Sequence, residues 1–262
     1  MEDRILVEYM DKLEAKLRGY GKAAIAFSGG IDSSFLLFVA NRVLPREDVL
    51  ALICDGVMVS GRDHDDAMRF VKENGFKFEE LNAAPLEIPE FRENRIDRCY
   101  HCKKMLLSMM KKKAGERGFD VLMDGENLDD QSAYRPGARA AQELGIERPL
   151  ADLGIGKTMI REMSRELGIA HWDKPSNSCL ATRFPYDTEL TPEGLKSVEK
   201  SEDLIRELGV SNVRVRKHGD TARIEVPEKD FRIMIESREA VARISEYGFR
   251  HVSLDLTSLD RK

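Results

Sequence analysis

Short apolar segments alternate with amphipathic segments along the first half of the chain. The apolar segments, each too short for a helix, predict strands at residues 22–28, 48–54, 76–81 and 119–125. Between them, helical patterns cover residues 32–43, 63–75 and 102–118. Strands separated by helices of this length form βαβ units. The pattern therefore predicts an α/β fold, with a parallel sheet covered by helices on both faces.

The second part of the chain has a different pattern. It predicts a helix, a hairpin around a His-Gly-Asp turn, a further helix and a last strand, at residues 191–209, 212–226, near 228–246 and 251–256. The first of these helices is well delimited, because Thr191 can cap it, Pro192 suits its first position and Gly209 suits its end. We therefore predict an α/β domain at residues 1–182 and a small α+β domain at 183–262, the latter for substrate binding or oligomerisation.

Composition and charge narrow the class of protein. The chain has 262 residues, 42% of them hydrophobic and 34% charged, as in ordinary globular proteins. No apolar run approaches the ~18 residues that a membrane span needs, and the charged N-terminus is unlike a secretory signal, which predicts a cytoplasmic protein without a membrane partner. The net charge of −5 argues against a nucleic-acid partner.

A glycine-rich turn between the first predicted strand and the following helix predicts a phosphate site. Glycine lets backbone amides approach an anion, and the helix N-terminus adds partial positive charge. Hydroxyl groups of the same segment can donate to phosphate oxygens, but the lysine of a Walker A loop is absent. The alternative is a plain glycine turn with a helix cap. The candidate ATP and pyrophosphate ligands are Ser28, Gly29, Gly30, Asp32, Ser33 and Ser34.

The segment SGGxDS resembles the PP-loop of the ATP pyrophosphatase superfamily, and three further segments resemble one family within it. The segments NRIDRCYHCKK, MDGENLDDQSAYRPG and WDKPSNSCLATRFPY are similar to those of the LarE-type sulfur transferases, and the resemblance covers about residues 20 to 230. It implies an enzyme with ATP as co-substrate and a small nucleotide substrate. LarE-type enzymes adenylate carboxylates of a pyridinium dicarboxylate mononucleotide, release pyrophosphate and form thiocarboxylates for the nickel-pincer nucleotide. The resemblance also implies homo-oligomers.

The cysteines decide how sulfur would be delivered. In the best-known form of the family, one cysteine at the position of Cys179 gives up its own sulfur. Here Cys99 and Cys102 add a CxxC motif, and three cysteines can ligate three irons of a 4Fe–4S cluster, leaving one iron open for a sulfide from an external source. A zinc site with His101, a redox pair and sacrifice of Cys179 remain alternatives. Cys54, at the end of a predicted strand, is expected to be a core residue.

Arginines of the second predicted domain are candidate substrate ligands. Arg214 and Arg216 lie two apart on a strand and therefore share a face, which suits a phosphate but also a solvated hairpin surface. The resemblance favours the substrate phosphate. Arg183 is a candidate for a substrate carboxylate or AMP, with a surface ion pair as the alternative. Glu225 is a candidate Mg²⁺ ligand or a residue that orients the two arginines.

Asp129 and Asp130 follow the fourth predicted strand, where α/β sheets place ligand sites. Asp130 is a candidate for Mg²⁺ on the pyrophosphate, and acids favoured by a helix N-terminus are the alternative.

Two other functions fit parts of the pattern. A PP-loop tRNA thiolase would also combine ATP with an iron–sulfur cluster, but it would need a basic surface. A nucleotide-binding iron–sulfur sensor would bind ATP without turnover.

Overall fold

The structure is a computed structural model that describes residues 2–131, 136–175 and 177–259. Parts of the segments MDGENLDDQSAYRPG and WDKPSNSCLATRFPY lie outside these ranges. The chain forms two compact units. The first comprises Met1–Gly56, Gly61–Ala84 and Asp97–Asn177, and the second comprises Val57–Ser60, Pro85–Ile96 and Ser178–Lys262.

Helices and strands alternate in the first unit. The strands are β1 (Ala23–Phe27), β2 (Val49–Asp55), β3 (Phe78–Asn82), β4 (Val121–Asp124), β5 (Arg214–His218), β6 (Thr221–Glu225) and β7 (His251–Leu254). The helices are α1 (Glu2–Tyr20), α2 (Ile31–Val43), α3 (Gly61–Glu73), α4 (Pro89–Arg92), α5 (Arg98–Glu116), α6 (Leu128–Gln131), α7 (Pro136–Glu143), α8 (Pro149–Asp152), α9 (Lys157–Glu166), α10 (Pro192–Glu207), α11 (Phe231–Glu236) and α12 (Arg238–Glu246). Short 3₁₀ helices cover Arg46–Asp48, Pro85–Glu87, Leu180–Arg183 and Glu228–Asp230.

The sheet of the first unit is parallel, with the strand order β3-β2-β1-β4. Successive residues of a strand point to opposite faces. Ile25 accordingly joins a core with residues of α1, α2, α3 and α9, whereas Ala24 joins a core with residues of α5 and α7. Helices thus cover both faces, which confirms the predicted fold class.

The second unit contains a small mixed sheet. β5 and β6 form the predicted antiparallel hairpin, with Gly219 in the turn at a φ of 60°, and β7 pairs with β6 in parallel. Thr191 Oγ1 caps α10 by accepting a hydrogen bond from Gly194 N at 3.0 Å. Val215 and Ile224 are cross-strand partners and both are buried, so the opposite face of the hairpin carries the arginines.

Two predicted elements differ from the structure. The predicted helix near 228–246 is wrong as one element, because Ser237 leaves helical geometry, with ψ at 65°, and its hydroxyl donates to Ile233 O at 2.6 Å. The helix predicted at 102–118 begins earlier, at Arg98. Both cysteines of the CxxC motif therefore lie in its first two turns.

Among the described residues, every helix is too short or too polar to serve as a membrane span.

Candidate functional site

The strand order of the first unit creates a ligand crevice beside β1. The chain passes from β1 to β2 and β3 on one side, and later returns to β4 on the other side. In open parallel sheets, ligands bind at such a switch point, outside the carboxyl ends of the strands. The segment Ser28–Ser34 follows β1, and Gly125 to Asp130 follow β4, so the predicted phosphate loop and the predicted Mg²⁺ ligand lie at this point.

Glycine is required at two places around the loop. Gly29 has a φ of 72°, and a Cβ atom there would lie 2.7 Å from Ala67 Cβ on α3. A Cβ atom on Gly125 would lie 2.8 Å from Ser33 N, so the end of β4 approaches the backbone at the start of α2 very closely. The loop is thus clamped between α3 and β4.

Hydroxyl groups line the inside of this loop. Ser28 Oγ and Ser33 Oγ lie 3.2 Å apart, Ser33 Oγ donates to Gly30 O at 3.0 Å, and Gly30 N donates to Ser28 Oγ at 3.4 Å. Gly30 caps α2 with its backbone alone. The loop therefore combines a helix N-terminus with hydroxyl groups, which is an arrangement suited to phosphate.

Acidic groups stand beside the loop. Asp32 Oδ2 accepts a hydrogen bond from Asn127 Nδ2 at 3.1 Å, whereas Asp32 Oδ1 is buried with no hydrogen-bond partner among the described residues. Burial, and then the nearby carboxylate of Asp130, raise the pKa of Asp32. Asp130 Oδ1 lies 3.1 Å from Lys157 Nζ. Two adjacent carboxylates next to a phosphate loop suit Mg²⁺ bridging to a pyrophosphate.

Asp129 has a structural contact. Its Oδ2 atom accepts a hydrogen bond from the backbone amide of Lys157 at 2.6 Å, at the first residue of α9. This contact matches the alternative in which an acid is favoured by a helix N-terminus.

His171 contacts the phosphate loop from the segment after α9. Its Nε2 atom lies 2.9 Å from Ser34 Oγ, and its ring packs edge-on against Phe70. Burial, and then the charge of Lys174, lower the pKa of His171, although Asp66 opposes this shift. The imidazole is therefore neutral at pH 7 and holds the hydroxyl of Ser34, whose side chain is fully buried.

We expect replacement of His171 by phenylalanine to raise KM for ATP about fivefold to tenfold, the equivalent of one hydrogen bond of about 1–1.5 kcal/mol. The His171→Gln variant is the matched control, because its amide can still bond the hydroxyl of Ser34. The measurement is the ATP dependence of pyrophosphate release. Equal KM values for the two variants would contradict a role of the hydrogen bond.

The CxxC motif lies at the start of α5. Cys99 is exposed and Cys102 is buried, and their i, i+3 spacing places both thiols on one side of the helix. His101 lies on a different side, within 3.2 Å of Asp97, which weighs against the zinc alternative that uses it. Lys103, the next residue, contacts Asp124 Oδ2 at the end of β4 at 2.8 Å. The start of α5 is thus tied to the switch point.

Cys54 lies on β2 and packs against the core beneath α5. Burial, and then the charge of Asp55, raise the pKa of its thiol to about 12, which suits a packing residue.

In the second unit, Cys179 precedes a 3₁₀ turn with a well-fixed backbone. Thr182 donates to Cys179 O through both its amide, at 3.0 Å, and its hydroxyl, at 2.8 Å. The amide of Leu180 donates to Met58 O at 3.0 Å. The side chain of Cys179 is half-buried, so a rigid turn presents this thiol.

Arg183 supports that turn from within the core. Its side chain is fully buried and donates to both carboxylate oxygens of Glu202, at 2.7 and 3.3 Å. Its Nη1 atom donates to Ser178 O, Ser178 Oγ and Thr182 Oγ1 at 2.9–3.1 Å. The structure therefore places Arg183 as a brace around Cys179, and not as a guanidinium exposed to a substrate.

Arg214 and Arg216 share the face of the hairpin opposite its buried side. Arg216 donates to Glu225 Oε2 and to Thr182 O, whereas the side chain of Arg214 has no hydrogen bond or ion pair among the described residues. Burial and the positive charges of Arg183 and Arg216 lower the pKa of Arg214. A half-buried guanidinium beside two others is a site for an anion.

Glu225 is buried between arginines. Its carboxylate accepts hydrogen bonds from Arg216 and, at 3.0 Å, from Arg223. These contacts favour the interpretation in which Glu225 orients arginines over the one in which it binds Mg²⁺.

Glu202 was not predicted as a functional residue, although the sequence carries a signal for it. Leu195, Val198, Glu202 and Ile205 are spaced by three, four and three residues and all are buried. A charged residue within such an apolar stripe must have a buried partner. His171 and Asn127 lie in irregular segments, where periodicity carries no such signal.

Known proteins match this chain over different lengths. The model of the NAD synthase family matches residues 5–98, which include the glycine-rich loop. Pyridinium-3,5-bisthiocarboxylic acid mononucleotide synthase of Lactiplantibacillus plantarum is 35% identical over 93% of this chain and 89% of its own length. Protein slr1717 of Synechocystis is 36% identical over 94% of this chain and 93% of its own length. Protein MJ0830 of Methanocaldococcus jannaschii is 32% identical, over 96% and 95%. These three matches run through both compact units.

Proposed function

The chain belongs to the LarE-type sulfur transferases of the PP-loop ATP pyrophosphatase superfamily, and from this membership we propose that it converts carboxylates of pyridinium-3,5-biscarboxylic acid mononucleotide into thiocarboxylates with ATP. The product is the compound after which the relative from Lactiplantibacillus plantarum is named. The observation that carries the proposal is the open phosphate loop at the switch point, with Asp32 and Asp130 beside it.

Adenylation is the proposed first step. A carboxylate is a poor acyl acceptor, so its oxygen first attacks the α-phosphorus of ATP. The bond between the α-phosphorus and the bridging oxygen breaks, and pyrophosphate leaves. The amides and hydroxyl groups of residues 28–34 hold the β- and γ-phosphates, which stabilises the negative charge that builds up on the leaving group. Asp32 and Asp130 hold the Mg²⁺ ion that neutralises it.

The arginine face of the second unit is the proposed substrate-phosphate site. Arg214 offers a guanidinium without a protein partner among the described residues, and Arg216 is held in place by Glu225 and Thr182 O. Guanidinium groups bind phosphate oxygens in pairs, so these two residues suit the 5′-phosphate of a mononucleotide.

Sulfur transfer is the proposed second step, at Cys179. A sulfur nucleophile attacks the acyl carbon of the adenylate and AMP leaves with the carbon–oxygen bond electrons. Cys99, Cys102 and Cys179 are the proposed ligands of a 4Fe–4S cluster. Two thiols one helical turn apart fit two ligand positions. When bound, such a cluster supplies an open iron at which an external sulfide source can renew the sulfur, whereas sacrifice of Cys179 would allow one transfer per thiol.

Iron content tests the cluster. We expect anaerobically purified protein to contain about four irons and four labile sulfides per chain. The Cys99→Ser variant should lose them, whereas the matched control Cys54→Ser, which changes a thiol packed on β2, should keep them. Protein without iron after reconstitution, or a Cys99→Ser variant that retains the cluster, would contradict the cluster and favour sacrifice of Cys179.

The activity has its own test. Protein with ATP, Mg²⁺ and the dicarboxylate mononucleotide should release pyrophosphate and AMP and form a product in which sulfur replaces a carboxylate oxygen, detected by mass spectrometry. Pyrophosphate release that does not depend on the mononucleotide, but does depend on tRNA, would overturn the proposed substrate and favour the tRNA thiolase.

A further inference from the structure

Three potential metal ligands converge at the carboxyl ends of β2 and β3. They are Asp55 at the end of β2, Glu80 within β3 and His64 in the first turn of α3. Their ligand atoms all lie within 4.8 Å of one another, and His64 Nε2 lies 2.9 Å from Glu80 Oε1.

The fold directs these side chains to one point. Glu80 pairs in register with Ile53, and Asp55 lies two residues beyond Ile53, so both carboxylates are on the sheet face that α3 covers. His64 precedes the buried Ala67 and Val71 by three and seven residues, which places it on the stripe of α3 that faces the sheet. A polar residue thus occupies the stripe where the helix passes the strand ends.

The local charge favours a cation. Among the described residues, no lysine or arginine forms an ion pair with Asp55 or Glu80. The adjacent Glu79 points to the opposite face and has both Arg117 and Lys113 as partners. Two carboxylates therefore share one imidazole.

We propose that Asp55, His64 and Glu80 bind a divalent transition-metal ion such as Zn²⁺. Imidazole nitrogen and carboxylate oxygen form a common donor set for such ions, and the imidazole favours zinc over magnesium. Donors around a tetrahedral zinc lie about 3.5 Å apart, so side-chain shifts of about 1 Å complete the site. Water fills the remaining positions.

The site braces α3 against the sheet. His64 is one turn from Ala67, whose Cβ atom is the contact that forbids a side chain on Gly29 of the phosphate loop. The bound metal thereby fixes the helix that supports that loop. This inference is independent of the proposed sulfur transfer, because it concerns other residues.

Anomalous scattering locates the metal directly. We expect crystals of the full chain soaked with Zn²⁺ to show an anomalous peak among Asp55, His64 and Glu80. In solution, the His64→Gln/Glu80→Gln variant should retain one Zn²⁺ fewer per chain than the wild type after dialysis, or bind it at least about tenfold more weakly. Because both proteins keep the four cysteines, zinc bound by thiols cancels in the difference.

Glu79→Gln is the matched control. It removes a neighbouring carboxylate on the other face and should leave the zinc stoichiometry unchanged. An anomalous map with zinc at the cysteines alone, or equal zinc binding by the wild type and the double variant, would overturn the site. Thermal unfolding in a chelator should give the same midpoint for both proteins, which separates loss of the metal from misfolding.

Discussion

Replacing Cys179 with alanine is expected to lower thiocarboxylate formation at least about 10³-fold, because the variant lacks the sulfur that acts on the adenylate. Pyrophosphate release should persist, since the phosphate loop belongs to the other compact unit and does not involve this thiol. The turn should also persist, because Thr182 bonds the backbone carbonyl of Cys179 and not its side chain. The measurement is pyrophosphate release and thiolated product from the same reaction.

The Cys54→Ala variant is the control for this result. It removes a thiol from the core of the first unit and should leave the ratio of product to pyrophosphate unchanged. Thiolated product from Cys179→Ala at the wild-type rate would contradict a role of this residue in sulfur transfer. Loss of pyrophosphate release together with product would instead indicate damage to binding or folding.

The wild-type enzyme distinguishes the two ways of using Cys179. More than one thiocarboxylate per chain, with the mass of the chain unchanged, is the result expected for a renewable sulfur on a cluster. A chain that loses the mass of one sulfur and yields a single product would show that Cys179 is consumed.

Local patterns predict most of the first unit. Strand and helix periodicity is a property of neighbouring residues, and β1 to β4 are short apolar runs with no competing pattern. The phosphate loop is equally local, because its glycines and hydroxyl groups occupy seven consecutive residues. The break at Ser237 was not predicted, since it depends on one hydroxyl that bonds the backbone four residues earlier.

Long-range polar contacts are what the sequence does not reveal. Arg183 is a candidate ligand when it is read as a loop arginine, and its burial follows only from Glu202, nineteen residues later. His171 and Ser34 are 137 residues apart, so neither suggests the other. The direction of Glu225 depends on the register of the hairpin, which pairs it with Arg214. The roles of these residues therefore require the fold.

Glu202→Ala is expected to destabilise the second unit by about 3–5 kcal/mol, the usual cost of removing one partner of a buried ion pair. Arg183 would remain fully buried without its carboxylate, and Arg206 would lose a 3.0 Å contact. The amide of Val215, between Arg214 and Arg216, would lose its acceptor, Glu202 Oε1, also at 3.0 Å. Hydrogen exchange at the Val215 amide measures this loss locally, and denaturant unfolding measures it globally.

Asp203→Asn is the matched control for that experiment, because it weakens an ion pair with the same Arg206 one position further along α10. Asp203 is 42% exposed, so its pair with Arg206 is screened by solvent and the change should cost less than about 1 kcal/mol. Glu202→Gln should lie between the two, since an amide oxygen can still accept from Val215 N but cannot balance the charge of Arg183. If Glu202→Ala unfolds no more easily than Asp203→Asn, and the Val215 amide stays protected, the carboxylate does not join α10, the Cys179 turn and β5. If instead Glu202→Gln folds but forms thiocarboxylate slowly while releasing pyrophosphate normally, the charge of Glu202 is what holds Cys179 and the arginine face in their working positions.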